Sequence, residues 1–169
     1  MDSFTPFATM LDQDRALGIV KSATAGADDG ELFLERKRSE IFVFDDGRLK
    51  TASYDASEGF GLRAVKGETA GYAHATEISE QALIRASETT RLAVGAGGAA
   101  RAASPQPTNR RLYTDQNPMD GKSFPAKVEV LKEIDDFARS LDPRVVQVSA
   151  SLAASHQQVV ILRPDGTLV

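Results

Sequence analysis

The sequence predicts an α+β domain: an antiparallel β-meander packed with about three helices, broken off in mid-sheet at its C-terminal end. Three observations carry this prediction. Asp46-Gly47 falls between two extended runs, and this dipeptide suits a tight hairpin because both turn positions need positive φ. In Ser123 to Leu141, residues Val128, Leu131, Ile134, Phe137, Ala138 and Leu141 form one apolar stripe at helical spacing. Asp165-Gly166 signals a last turn, and the three residues Thr167 to Val169 after it are too few to complete a hairpin.

The elements follow in order. Thr9 to Ala25 reads as a helix, with Leu17, Val20 and Ala23 near helical spacing and Gly26 as its stop. From Gly30 the pattern becomes extended. Leu32 and Leu34 alternate with polar residues, and Ile41 to Phe44 is β-branched and aromatic. Lys37-Arg38-Ser39 fits either a turn or a bend within one long strand. Leu49 to Ser57 returns after the hairpin, with Leu49, Thr51 and Ser53 on one face. Gly59 to Lys66 is a further strand, Lys66-Gly67-Glu68 a turn, and Thr69 to Ala75 its return. The meander therefore has four or five strands.

Ser79 reads as the N-cap of a second helix ending near Val94 and stopped by Gly95. Ile78 and Leu83 are placed for a hydrophobic staple. Ser123 to Leu141 is the third helix, ended by Asp142-Pro143 because the residue before proline is pushed out of the α region. Val145 to Ala154 and His156 to Leu162 read as strands. Residues 1–94 thus form one block of helix, strands and helix. Residues 95–111 form a Gly/Ala/Pro-rich connection unable to bury enough apolar surface to order itself. Residues 112–169 complete the domain with a helix, strands and an unfinished hairpin. Such an ending would expose an unpaired edge around Val159 to Leu162 and favour self-association.

Composition narrows the function. Hydrophobic residues are 41% and charged residues 26% of 169, enough for a globular core. A net charge of -4 argues against nucleic acid as a partner, since phosphate binding needs a basic face. No apolar run approaches the roughly 20 residues of a membrane-spanning helix. The first residues lack the basic and apolar regions of a secretory signal. With no cysteine, disulfides and thiolate metal sites are excluded, in keeping with a reducing cytoplasm.

Catalytic constellations are missing. The two histidines, His74 and His156, are isolated in sequence, and neither belongs to a helix bearing two imidazoles and a carboxylate. There is no nucleophile elbow. Gly59-Phe60-Gly61 only partly echoes a dinucleotide fingerprint, and it opens no helix. Asp28-Asp29 and Asp45-Asp46 flank turns, where aspartate accepts backbone hydrogen bonds; Asp135-Asp136 reads as the solvated side of a helix. Arg36-Lys37-Arg38 reads as an edge that resists aggregation. The informative residues are Gly59, Gly61, Arg63, Gly71 and Tyr72. Glycine weakens a strand unless something approaches the backbone closely, and Arg63 shares a strand face with Gly59 and Gly61. They are expected to form a flat surface against which another domain or a peptide packs.

Those same residues carry a resemblance. Gly59-Phe60-Gly61-Leu62-Arg63-Ala64, then Lys66-Gly67-Glu68, then Gly71-Tyr72-Ala73 resemble the TldD/PmbA family of zinc-dependent peptidases. Asp29 to Phe33, Arg144 to Leu152 and Asp165 to Leu168 match as well, and the pattern favours the TldD branch. The resemblance implies an N-terminal α/β domain of a cytoplasmic peptidase that cleaves unfolded peptides. It implies zinc held by a His-Glu-x-x-x-His motif in the C-terminal part and a heterodimer with a PmbA (TldE) subunit. No position here matches the zinc motif, so catalytic and metal residues are expected to be none in this chain. The alternative expectation is a stand-alone interaction module binding a PmbA-like partner or an extended peptide at a sheet edge.

Overall fold

The computed structural model describes residues 3–95 and 116–169. The element order is α1 (Pro6–Thr9), α2 (Gln13–Ala23), β1 (Asp29–Asp45), β2 (Arg48–Lys66), β3 (Thr69–Ala75), α3 (Glu80–Val94), α4 (Phe124–Leu141) and β4 (Ser149–Leu162). The strands form one antiparallel four-stranded sheet in the order β3-β2-β1-β4. The expected connection at 95–111 lies, from residue 96 on, outside the described residues.

Local chemistry sets the element ends. The expected first helix is divided, because Asp12 caps α2 by accepting a hydrogen bond from Arg15 N at 2.9 Å. Gly26 follows α2 at φ 76°, and Asp46 and Gly47 sit at φ 50° and 75°. Two consecutive left-handed residues make the tight turn between β1 and β2. Ser79 Oγ accepts from Ala82 N at 3.2 Å, and Ile78 packs against the core cluster that holds buried Leu83, as a staple requires.

Strand number differs from expectation. Lys37-Arg38-Ser39 lies inside β1, the two runs expected on either side of Glu58 are one strand, and so are those around Ser155. None of the three junctions carries a Gly-Pro or Asn-Gly pair to reverse the chain, and a paired neighbour lets each strand continue. The final turn does form, with Gly166 at φ 91°. Ile161 N donates to Val169 O at 2.9 Å and Val169 N to Ile161 O at 3.0 Å. The expected unpaired edge therefore has backbone partners at Ile161 and, through a bridge to Leu168, at Leu162.

Two compact units share the long strands. The first comprises residues 3–36, 57–95 and 158–169. Leu32 and Leu34 of β1, Phe60 and Leu62 of β2, Val20 of α2 and Leu83 of α3 are buried together in its core. All four strand residues obey a two-residue period, so α2 and α3 cover one sheet face. The second unit comprises residues 37–56 and 116–157. Phe42, Phe44 and Leu131 form its core, flanked by Leu49, Val128, Ala150 and Leu152.

Helix α4 turns a different face inward from the one its apolar stripe suggests. Its buried residues are Lys127, Leu131 and Asp135, one row at four-residue spacing. Ile134, Phe137 and Leu141 are exposed, the last two by 66% and 68%. The polar members of the inward row each have a charged partner, although Asp135 Oδ1 is buried without a hydrogen bond. Lys127 Nζ reaches Glu40 Oε1 and Met119 O, both at 2.6 Å, and Asp135 Oδ2 accepts from Arg139 Nε at 2.9 Å.

Candidate functional site

The five residues singled out by sequence lie on β2 and β3, which pair antiparallel with Arg63 opposite Tyr72, Gly61 opposite His74 and Ala64 opposite Gly71. They divide between two faces. Arg63 and Tyr72 stand on the face away from α2 and α3. Gly71 faces α3: a Cβ there would come within 2.4 Å of Thr90 O and 2.7 Å of Val94 Cγ2. The glycine thus allows a helix backbone to approach the strand. Gly59 is tight against Ala75 O, which a Cβ would meet at 2.6 Å.

Gly61 is covered from within the chain. A Cβ at this position would lie 2.7 Å from Tyr72 Oη, so the phenol crosses the space that a side chain would fill. Tyr72 also stacks on His74, with ring centroids 5.6 Å apart and planes 28° from parallel. The phenol remains 59% exposed. Arg63 bridges two strands: Nη2 donates to Asp29 Oδ2 at 3.0 Å and Nε to Glu31 Oε1 at 3.3 Å. Asp28 locks the adjoining turn, accepting from Gly67 N at 2.8 Å while its own N–H donates to Val65 O at 2.7 Å. This face is a half-exposed platform of one arginine, two carboxylates and two stacked rings.

Most members of the acidic pairs have structural partners, while Asp136 is exposed as expected. Asp45 Oδ1 accepts from Gln147 Nε2 at 3.3 Å, and Asp46 Oδ1 from Arg139 Nη2 at 2.6 Å. Asp135, expected to be solvated, is only 4% exposed; it turns inward because Arg139 supplies its counter-charge. Arg139 ionises above its ordinary range, held as a cation first by its hydrogen bond to Asp135 and then by that to Asp46. Arg36 extends from β1 to Glu58 Oε2 at 3.1 Å and lies 5.0 Å over the Phe4 ring.

Zinc requires three or four imidazole, thiolate or carboxylate ligands converging on one point. Among the described residues no group of three or more His, Cys, Asp or Glu is so placed. The donor set of the described residues does not fit the metal.

Sequence reasoning missed a cavity in the second unit. It has a volume of ≈350 Å³ and lies between β1, β2, the start of α4 and the residues just before it. The buried Lys127–Glu40 pair lines it, with 8% and 11% side-chain exposure. The available signal was Lys127 itself, one turn before Leu131 on the same helix face.

The four-stranded antiparallel sheet and its helices define an α+β fold that can be compared with known families. Residues 30–103 match the family model for PmbA/TldA metallopeptidase domain 1, and residues 117–169 that for the PmbA/TldA metallopeptidase central domain. The chain belongs to the PmbA/TldD metallopeptidase family. It is 30% identical over 159 residues to the metalloprotease TldD homologue of Buchnera aphidicola subsp. Acyrthosiphon pisum, covering 94% of this chain and 33% of that one. With the TldD homologue of Haemophilus influenzae it shares 32% identity over 145 residues, covering 83% and 30%. The chain therefore spans about a third of the length of the curated relatives it matches.

Solved structures share the fold. TldE from Thermococcus kodakarensis superposes with a TM-score of 0.67 at 18% identity, over 92% of this chain and 36% of that one. A candidate modulator of a DNA gyrase from Thermotoga maritima gives 0.69 at 13% identity, over 93% and 35%.

Proposed function

We propose that this chain is the non-catalytic front part of a TldD-like zinc metallopeptidase that cleaves unfolded peptides. The observation that carries this reading is its match to the family's first and central domains over a third of the relatives' length. The zinc ligands would lie in sequence beyond these residues, since two isolated histidines and no cysteine cannot supply a zinc-binding helix. Residues 1–94 and 112–169 would act as one N-terminal scaffold, and the Arg63–Tyr72 face as a docking platform for a PmbA/TldE-like subunit. The absence of cysteine favours a cytoplasmic setting, and no described helix is long and apolar enough to cross a membrane. The test is cleavage of an unfolded peptide with zinc added, by this chain alone and by the full-length relative with its PmbA-like subunit. Turnover is expected only from the latter; chelator-sensitive turnover by this chain alone overturns the reading.

A second reading, an interaction module for an extended peptide, rests on the β2 edge. β3 pairs with Phe60 to Lys66, and residues 50–56 are exposed. Among the described residues no strand lies outside them. A peptide could add there as a further strand. Hydrogen exchange decides it: slower exchange of these amides on adding an unfolded peptide supports strand addition, and unchanged rates refute it.

A further inference from the structure

The geometry points to the cavity of the second unit as a binding pocket for an aromatic carboxylate. Its apolar walls come from Phe42 and Phe124, packed edge to face at 5.5 Å and 62°, with Met119 and Tyr54 beside them. The Tyr54 phenol is 59% exposed and Phe124 53%, so the walls reach the surface and a ring can enter. A volume of ≈350 Å³ lies at the small end of ligand pockets, which run from about 300 Å³.

Charge selects the other half of the ligand. Lys122 lines the cavity and is exposed, with no ion-pair partner among the described residues. Lys127 is more than nine-tenths buried. Its ammonium has three N–H donors; Glu40 Oε1 and Met119 O take two, leaving one. Two cations face one carboxylate, so the pocket has a positive excess that a second carboxylate neutralises. The Phe42 ring, 5.9 Å from Lys127 Nζ, helps hold that ammonium in place. A phosphate ester is a poorer match, because the site offers neither a guanidinium fork nor a glycine-rich loop. The shared chemistry is a ring bearing a nearby carboxylate, whether a free aromatic amino acid or the C-terminal residue of a peptide. The proposal is independent of the peptidase reading.

The test titrates the chain with N-acetyl-L-phenylalanine, L-phenylalanine and N-acetyl-L-phenylalaninamide, following amide shifts of Ser53, Tyr54, Met119 and Lys122 by NMR. Saturable binding of at least one carboxylate is expected, with the amide weaker by about threefold or more. Lys122→Gln should weaken the carboxylates about threefold and leave the amide unchanged. Phe124→Ala should weaken all three ligands. Both side chains are exposed, so the variants are expected to fold. Preference between the acetylated and free amino acid assigns the source as a peptide terminus or a metabolite. The proposal is overturned by absence of saturation up to about 20 mM, by equal affinity for the amide, or by an unaltered Lys122→Gln variant.

Discussion

The Tyr72 phenol lies across Gly61 so closely that a Cβ at position 61 would stand 2.7 Å from its Oη. At Gly71 the obstacle is Thr90 O at 2.4 Å, a backbone atom that moves only with α3. The two glycines should therefore respond differently to the same methyl group. Gly61→Ala is expected to displace an exposed ring and cost under about 1 kcal/mol. Gly71→Ala should cost about 1–3 kcal/mol through overpacking. Urea unfolding of both variants checks this; equal losses would refute it.

The Lys127–Glu40 pair should be harder to break than its surface counterparts. Removing one member leaves the other charge buried without compensation, which costs about 3–5 kcal/mol. Lys127→Met is expected to fall in that range. Arg15→Ala, which severs a pair with 68% and 43% exposed side chains, should change stability far less, because solvent screens an exposed ion pair. Thermal unfolding of the two variants makes the comparison.

On α4, burial rather than hydrophobicity should rank the substitutions. Leu131→Ala, at 1% exposure, is expected to cost about 2–5 kcal/mol. Phe137→Ser and Leu141→Ser should each stay within about 0.5 kcal/mol. A loss above about 2 kcal/mol at Phe137 would show that this face is covered.

Two exposed aspartates should titrate low. Asp142 ionises below the ordinary carboxylate range because the Arg144 side chain, and then its backbone N–H, donate to it. Asp165 does so through Thr167, first by the backbone N–H and then by the side chain. A depressed folded-state pKa means these bonds contribute fully above the unfolded value of about 3.9 and are lost as pH falls through the lower folded one. The Arg144 and Thr167 amide shifts should therefore move with midpoints below about 3.9. Asp142→Asn should abolish the Arg144 transition and spare that of Thr167.

Much of the fold was legible because its signals are local. Asp46-Gly47, the Ser79 cap and the Ile78–Leu83 staple each act within five residues, and each appears where the sequence places it. Strand lengths were not legible, because a strand continues for as long as a neighbour pairs with it. The inward face of α4 was hidden for a related reason. Lys127 pairs with Glu40, 87 residues away, and Asp135 with Arg139, which also reaches Asp46 across 93 residues. At the platform, periodicity placed Arg63 on the face of Gly61. It could not show that Tyr72 fills the room the glycine leaves.

The two-residue turn at Asp46-Gly47 has a consequence for how this chain can change over generations. It joins strands of 17 and 19 residues with no slack between them. One inserted residue in either strand would invert every side chain beyond it, sending Phe42 and Phe44 toward solvent or Leu62 out of the core. A bulge could absorb such an insertion only by kinking the ladder. The length of this hairpin is thus expected to be inherited as a unit, with relatives varying in length elsewhere.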